Sequence, residues 1–149
     1  RSPPLYSSAA SDVYKRQFMF QMVERQRQLQ VPKYLRPRTD TPKLTQGHGG
    51  CFGCIYSVRG AGGYQMFGVT PAPIYDPQQT LNYLKEHMVF FRPGDIVQFK
   101  PIDRRTYDRA VAEVEDGCFD LRIRPVTFSL DAFLADPVGY PKSLQEVLA

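Results

Sequence analysis

The alternation of apolar and polar positions divides the chain into short strands and short helices. Cys51–Val58 (CFGCIYSV) is an apolar run rich in strand-forming residues, and Tyr64–Val69 (YQMFGV) alternates as a second strand. Between them Arg59–Gly63 (RGAGG) holds three glycines in five residues, so the spacing predicts a β-hairpin closed by a glycine turn. Thr70–Asp76 continues extended, with its prolines marking a strand end. Asp76-Pro77 pairs an N-cap residue with a proline at the first helical position, which predicts a helix to about His87 with Leu81, Leu84 and Met88 turned inward. Arg92–Asp95 (RPGD) reads as a tight turn and Ile96–Ile102 as an alternating strand. Asp103 is expected to cap a helix through Glu115 with Tyr107, Ala110, Val111 and Val114 along one face, stopped at Gly117. Cys118–Phe128 alternates again, Phe119, Leu121 and Ile123 against Asp120, Arg122 and Arg124. Ser129 can cap a short helix over Leu130–Leu134, and Pro141–Leu148 adds one or two further helical turns.

The N-terminal third is less regular. Phe18–Gln30 suits either a short amphipathic helix or an extended strand. Val31–Leu44 carries three prolines, which prevent a regular helix, so it should lie extended across a surface. The first seventeen residues, RSPPLYSSAASDVYKRQ, have no apolar periodicity and resemble translated adapter or linker sequence. They are set aside as an adapter-derived or disordered segment, leaving residues 18–149 as one domain. If they are adapter sequence, an N-terminal part of the natural protein is missing. The element order is mainly β with helices between strands, which suits a small barrel or an open sheet with peripheral helices.

Composition narrows the function classes. The 149 residues include no tryptophan but nine tyrosines and ten phenylalanines, enough for one domain with a core. Net charge is +4, and half of that excess lies in residues 1–17. Lys33, Arg36, Arg38 and Lys43 form the one basic run, broken by prolines and by Asp40. A solvated or phosphate-tolerant loop fits this run better than a nucleic-acid face. No apolar run approaches the roughly 18 residues that span a bilayer. Three cysteines, Cys51, Cys54 and Cys118, are an odd number and point to reduced thiols and a cytoplasmic location.

Candidate chemistry is sparse. Cys51 and Cys54 have metal-knuckle spacing, but only Cys118, His48 and His87 remain to complete a site and none has paired spacing, so strand or core thiols are expected and no metal. Gly60–Gly63 lacks the Lys-Ser/Thr of a phosphate-binding loop. His48 stands among glycines, where it is either a proton donor or substrate partner, or a surface loop histidine.

Ordered motifs add a resemblance. Arg38–Pro42 (RTDTP), Gly47–Gly50 (GHGG), Cys54–Tyr56 (CIY), Gly62–Gln65 (GGYQ), Gly68–Pro71 (GVTP) and the later Pro93–Ile102 (PGDIVQFKPI) follow one another. Together they resemble the C-terminal half of the carboxyltransferase family that includes urea carboxylase, allophanate hydrolase subunit 1 and the B component of 5-oxoprolinase. The likeness runs over Val31–Ile102 and weakens beyond. Two positions depart from it: Val69 stands where the family has arginine, and His48 where relatives often carry an apolar residue.

The resemblance implies a cyclophilin-like β-barrel and a carboxyltransferase-type domain that works with an N-terminal half, a second carboxyltransferase half or subunit, and a biotin-carrier domain. It implies carboxyl transfer from carboxybiotin, with biotin as cofactor, to an amide nitrogen such as that of urea. A fragment without its partners would be inactive. The alternatives are a lactam-opening component of the 5-oxoprolinase type and a non-catalytic, kinase-inhibitor-type interaction module. On this reading His48 and Gln65 are the catalytic candidates, His48 as proton shuttle and Gln65 orienting an amide. Gly49, Gly50, Gly62, Gly63, Tyr64 and Thr70 are the substrate- or biotin-binding candidates.

Overall fold

The structure, a computed structural model, describes residues 16–23 and 25–147. Six strands make two antiparallel sheets: β1 (Arg16–Phe20), β2 (Arg38–Thr41), β3 (Thr45–Gly49), β4 (Phe52–Tyr56), β5 (Gly60–Gly62) and β6 (Gln65–Val69). The larger sheet has the order β1-β4-β3-β6, and β2 pairs with β5 in the smaller one. Three helices follow: α1 (Arg104–Glu115), α2 (Leu130–Ala135) and α3 (Gly139–Glu146). The architecture is mainly β with a few helices. Both sheets are open, so among the described residues the expected barrel is not closed.

The expected hairpin is rearranged. β4 is a central strand, flanked by β1 and β3, while β6 joins the far edge of β3. The turn that closes a hairpin is Gly50-Cys51 between β3 and β4, where Gly50 has φ +62° and Cys51 does not share it, as a type II′ turn requires. Residues 59–63 are not the turn: Gly60–Gly62 is itself strand β5. The Gly-x-Gly-Gly run is likewise not a loop but mostly strand β3, because its missing side chains admit tyrosine rings. A Cβ on Gly49 would lie 2.5 Å from Tyr64 Cδ1, and one on Gly47 3.1 Å from the ring of Tyr56. Cys54, Tyr56 and Tyr64 thereby form the hydrophobic cluster on one face of the sheet.

The opposite face is held by a buried amide. Gln17 Nε2 donates to Ile74 O at 2.8 Å, and its Oε1 accepts from Phe91 N at 3.0 Å, so residues 74–91 cover one end of that face. Arg16 and Gln17, set aside on sequence, are thus part of β1. Residues 1–15 lie outside the described residues. The choice left open for residues 18–30 falls to strand β1, followed by a single 3-10 turn at Arg25–Arg27.

Three further expectations are corrected. No α-helix follows Asp76: its carboxylate gathers the N–H groups of Gln78, Thr80 and Leu81, Gln79 adopts φ +53°, and only a 3-10 turn, Asn82–Leu84, forms. Residues 118–128 are not a strand, because Asp120 Oδ1 accepts from Arg122 N and Arg122 takes φ +52°, an Asx turn that breaks the alternation. Residues 96–102 form no strand and pair with none among the described residues. The capped helices form as expected. Asp103 accepts from Thr106 N, Ser129 accepts from Ala132 N, and Ala110 and Val114 are buried on α1. The last helix reaches Glu146, and Leu148 lies outside the described residues.

Candidate functional site

Antiparallel register places directly opposed residues on the same face of a sheet. Met19 opposes Gly53, Gly53 opposes His48, and His48 opposes Gln65, so these four residues form one row across all four strands. The two catalytic candidates, His48 and Gln65, are therefore neighbours. Gly53 leaves the middle of the row open: a Cβ there would meet nothing within 4 Å. The next row, Gln17, Ile55, Gln46 and Gly68, closes one side of this cradle.

Both polar side chains are anchored by the strap that precedes β2. His48 Nε2 lies 3.1 Å from Leu29 O, and Gln65 Nε2 donates to Pro32 O at 3.2 Å. A carbonyl only accepts, so Nε2 of His48 carries the proton and Nδ1 is the ring's acceptor when neutral. Gln65 keeps its carbonyl Oε1 and one N–H for another partner. The strap itself is fixed by backbone: Val31 and Gly50 exchange both N–H···O bonds, and Tyr34 N donates to Gly63 O at 2.8 Å.

The remaining candidates separate from this pair. Tyr64 is 4% exposed on the other face, packed on Gly49 and in edge contact with Phe18 at 5.9 Å. Gly49 is buried beneath that ring, and the N–H of Gly50 is engaged by Val31. Gly62 is closed in, since a Cβ would lie 2.5 Å from Thr41 Oγ1 and 2.7 Å from Tyr56 Oη. Gly63 offers its carbonyl to the strap, and Thr70 N donates to Leu44 O at 3.0 Å. Two lining positions escaped sequence reading, Met19 and Gly53. A glycine inside a strand is the signal that points to Gly53, but its Cys-x-x-Cys setting drew attention to sulfur instead.

The three cysteines differ in environment. Burial pushes the Cys54 thiol up to about 12, and Cys118 is exposed. Among the described residues no three His, Cys, Asp or Glu side chains are placed to share a metal ion. Nor is any helix among them long and apolar enough to cross a membrane.

A mainly β chain with this open sheet is similar to known carboxyltransferase domains. Residues 18–84 match the family Carboxyltransferase domain, subdomain C and D. The chain is 33% identical over 102 residues to the urea amidolyase of Lachancea kluyveri, across 68% of this chain and 6% of that protein. It is 32% identical over 74 residues to a 5-oxoprolinase component, the B chain, of Escherichia coli O157:H7, across 50% of this chain and 31% of that one. Among solved structures, the Kluyveromyces lactis urea carboxylase aligns with a TM-score of 0.70 at 19% identity, over 95% of this chain and 14% of that chain. That likeness shows a shared fold along nearly the whole chain. The chain spans only a small part of these relatives.

Proposed function

We propose that this chain is part of a biotin-dependent carboxyltransferase of the urea carboxylase type, and that the Met19–Gly53–His48–Gln65 row receives the amide to be carboxylated. The observation that carries the reading is the adjacency of His48 and Gln65 beside an open glycine floor. Within the family shared by urea amidolyase and the 5-oxoprolinase component, the urea amidolyase match extends over more of this chain.

The residues fit a ureido or amide group. Gly53 leaves room for a flat group, and Met19 supplies a polarizable apolar wall. Gln65 offers an acceptor and a donor, which match the N–H and C=O of an amide and fix its plane. In this reading Nδ1 of His48 acts as the base that takes the proton leaving the amide nitrogen. Biotin, when present on its carrier, supplies the activated carboxyl group. Gly49, Gly50, Gly62, Gly63 and Tyr64 act by shaping the sheet and fixing the strap, and Thr70 ties the end of β6 to Leu44. The cyclophilin-like barrel, the N-terminal half, the second carboxyltransferase half and the biotin-carrier domain belong to this reading as partners that complete the domain. A cytoplasmic location goes with them.

The test is urea-dependent carboxyl transfer by the complete carboxyltransferase that contains this chain. Gln65→Ala is expected to lower it by about a hundredfold, as loss of an orienting hydrogen bond does. Unchanged transfer would remove Gln65 from the site. A lactam-opening activity that replaces urea-dependent transfer would favour the 5-oxoprolinase alternative.

A further inference from the structure

The strap that anchors His48 and Gln65 is also a cationic wall. Residues 25–39 contain five Arg and Lys and no Asp or Glu. Among the described ion pairs, none includes Lys33, Arg36 or Arg38. Lys33 Nζ lies 5.0 Å from the centroid of the Tyr64 ring, and Arg38 Nη2 donates to Tyr64 O at 2.8 Å, so the two cations contact the ring and the carbonyl of the same residue. Arg38 Nε is buried without an acceptor, under a guanidinium that lies 5.4 Å from the Tyr34 ring. A buried charged donor without a partner is unfavourable, and it marks a position where an acceptor is wanted.

The geometry of that acceptor can be read from the protein itself. Arg59 holds the Asp40 carboxylate through Nε at 2.6 Å and Nη2 at 2.7 Å. Arg38 has the same side-on fork, with Nε free and a second N–H on Nη2. Tyr34, 48% exposed, lies over the guanidinium at the edge of this position.

We propose that Arg38 and Lys33 form a carboxylate-binding subsite, in which the Nε/Nη2 fork of Arg38 takes the two oxygens and Lys33 neutralises them. The subsite rests on the carboxyl-transfer reading for its purpose, which is to hold a carboxyl group of the substrate or product at Tyr64, the residue that precedes Gln65. A planar fork prefers a carboxylate to a tetrahedral phosphate when only one arginine supplies it.

Calorimetric titration of the 149-residue chain with malonate, malonamide and inorganic phosphate at constant ionic strength tests this. Saturable binding of malonate, tighter than that of malonamide or phosphate, is expected. Arg38→Gln should weaken it about ten- to hundredfold and Lys33→Gln about tenfold, the ordinary effect of losing a charge-assisted contact. Lys33 is exposed, so its variant decides the matter if Arg38→Gln does not fold. Malonate bound no better than malonamide or phosphate, or undiminished by Lys33→Gln, overturns the subsite. Because binding is measured without turnover, its failure alongside intact Gln65-dependent transfer leaves the carboxyl-transfer reading standing.

Discussion

Gly49 lies beneath the Tyr64 ring with no room for a methyl group, since a Cβ would approach Cδ1 to 2.5 Å. Gly49→Ala should therefore cost about 1–3 kcal/mol of stability by overpacking, measurable as a lower denaturation midpoint. Asp76 makes a second residue-scale prediction. Its carboxyl is held below 3.8, first by the N–H of Leu81 and then by the hydroxyl and N–H of Thr80 and the N–H of Gln78. A lowered folded pKa means that its stabilisation is present above 3.8 and is lost as the pH falls through the folded value. Asp76→Asn should therefore be less stable than the parent near neutrality, and the gap should narrow under acid. A gap that does not change with pH in chemical denaturation would contradict the assignment. Individual residues were legible in the sequence where one side chain acts locally: Asp103 and Ser129 cap as expected. Tyr64 was not legible, because which face of the sheet it covers depends on glycines fifteen and seventeen positions earlier.

At the scale of elements, local signals read well and pairing did not. α1 carries its own evidence in the Asp103 cap and the spacing of Ala110 and Val114. Asp103→Ala should destabilise the protein by about 1 kcal/mol, read as a drop in the denaturation midpoint with no change in the sheet's far-UV signature. The two runs read as a hairpin are both strands, yet each pairs with β3 rather than with the other. Glycines at positions 47, 49 and 50 looked like a loop because glycine frees the backbone. Here two of them instead remove side chains so that Tyr56 and Tyr64 can approach, and only Gly50 needs positive φ. Residues 118–128 failed as a strand for a local reason that was visible, an Asp able to bond the backbone two residues on. Alternation alone does not report that competition.

For the whole molecule, the order of motifs carried more than any one of them. The family match over residues 18–84 takes in five of the six segments that the sequence sets in line and leaves out Pro93–Ile102. His48 and Gln65 were legible as candidates, and the register brings them side by side. Their open neighbour, Gly53, was not legible, because space is a property of the folded sheet. Residues 96–102 and 118–128, which lie outside the sheets and helices, keep Ile96, Phe99, Ile102, Ile123 and Phe128 exposed, as a chain that covers only a small part of its relatives would. The central claim is that substrate sits on the glycine floor of the His48–Gln65 row, and Gly53→Val tests it most directly. The added side chain meets open space and suits a strand, so the denaturation midpoint should hold. Carboxyl transfer in the complete enzyme should fall about a hundredfold as the cradle fills. A Gly53→Val protein that folds and transfers at the parent rate would contradict the account.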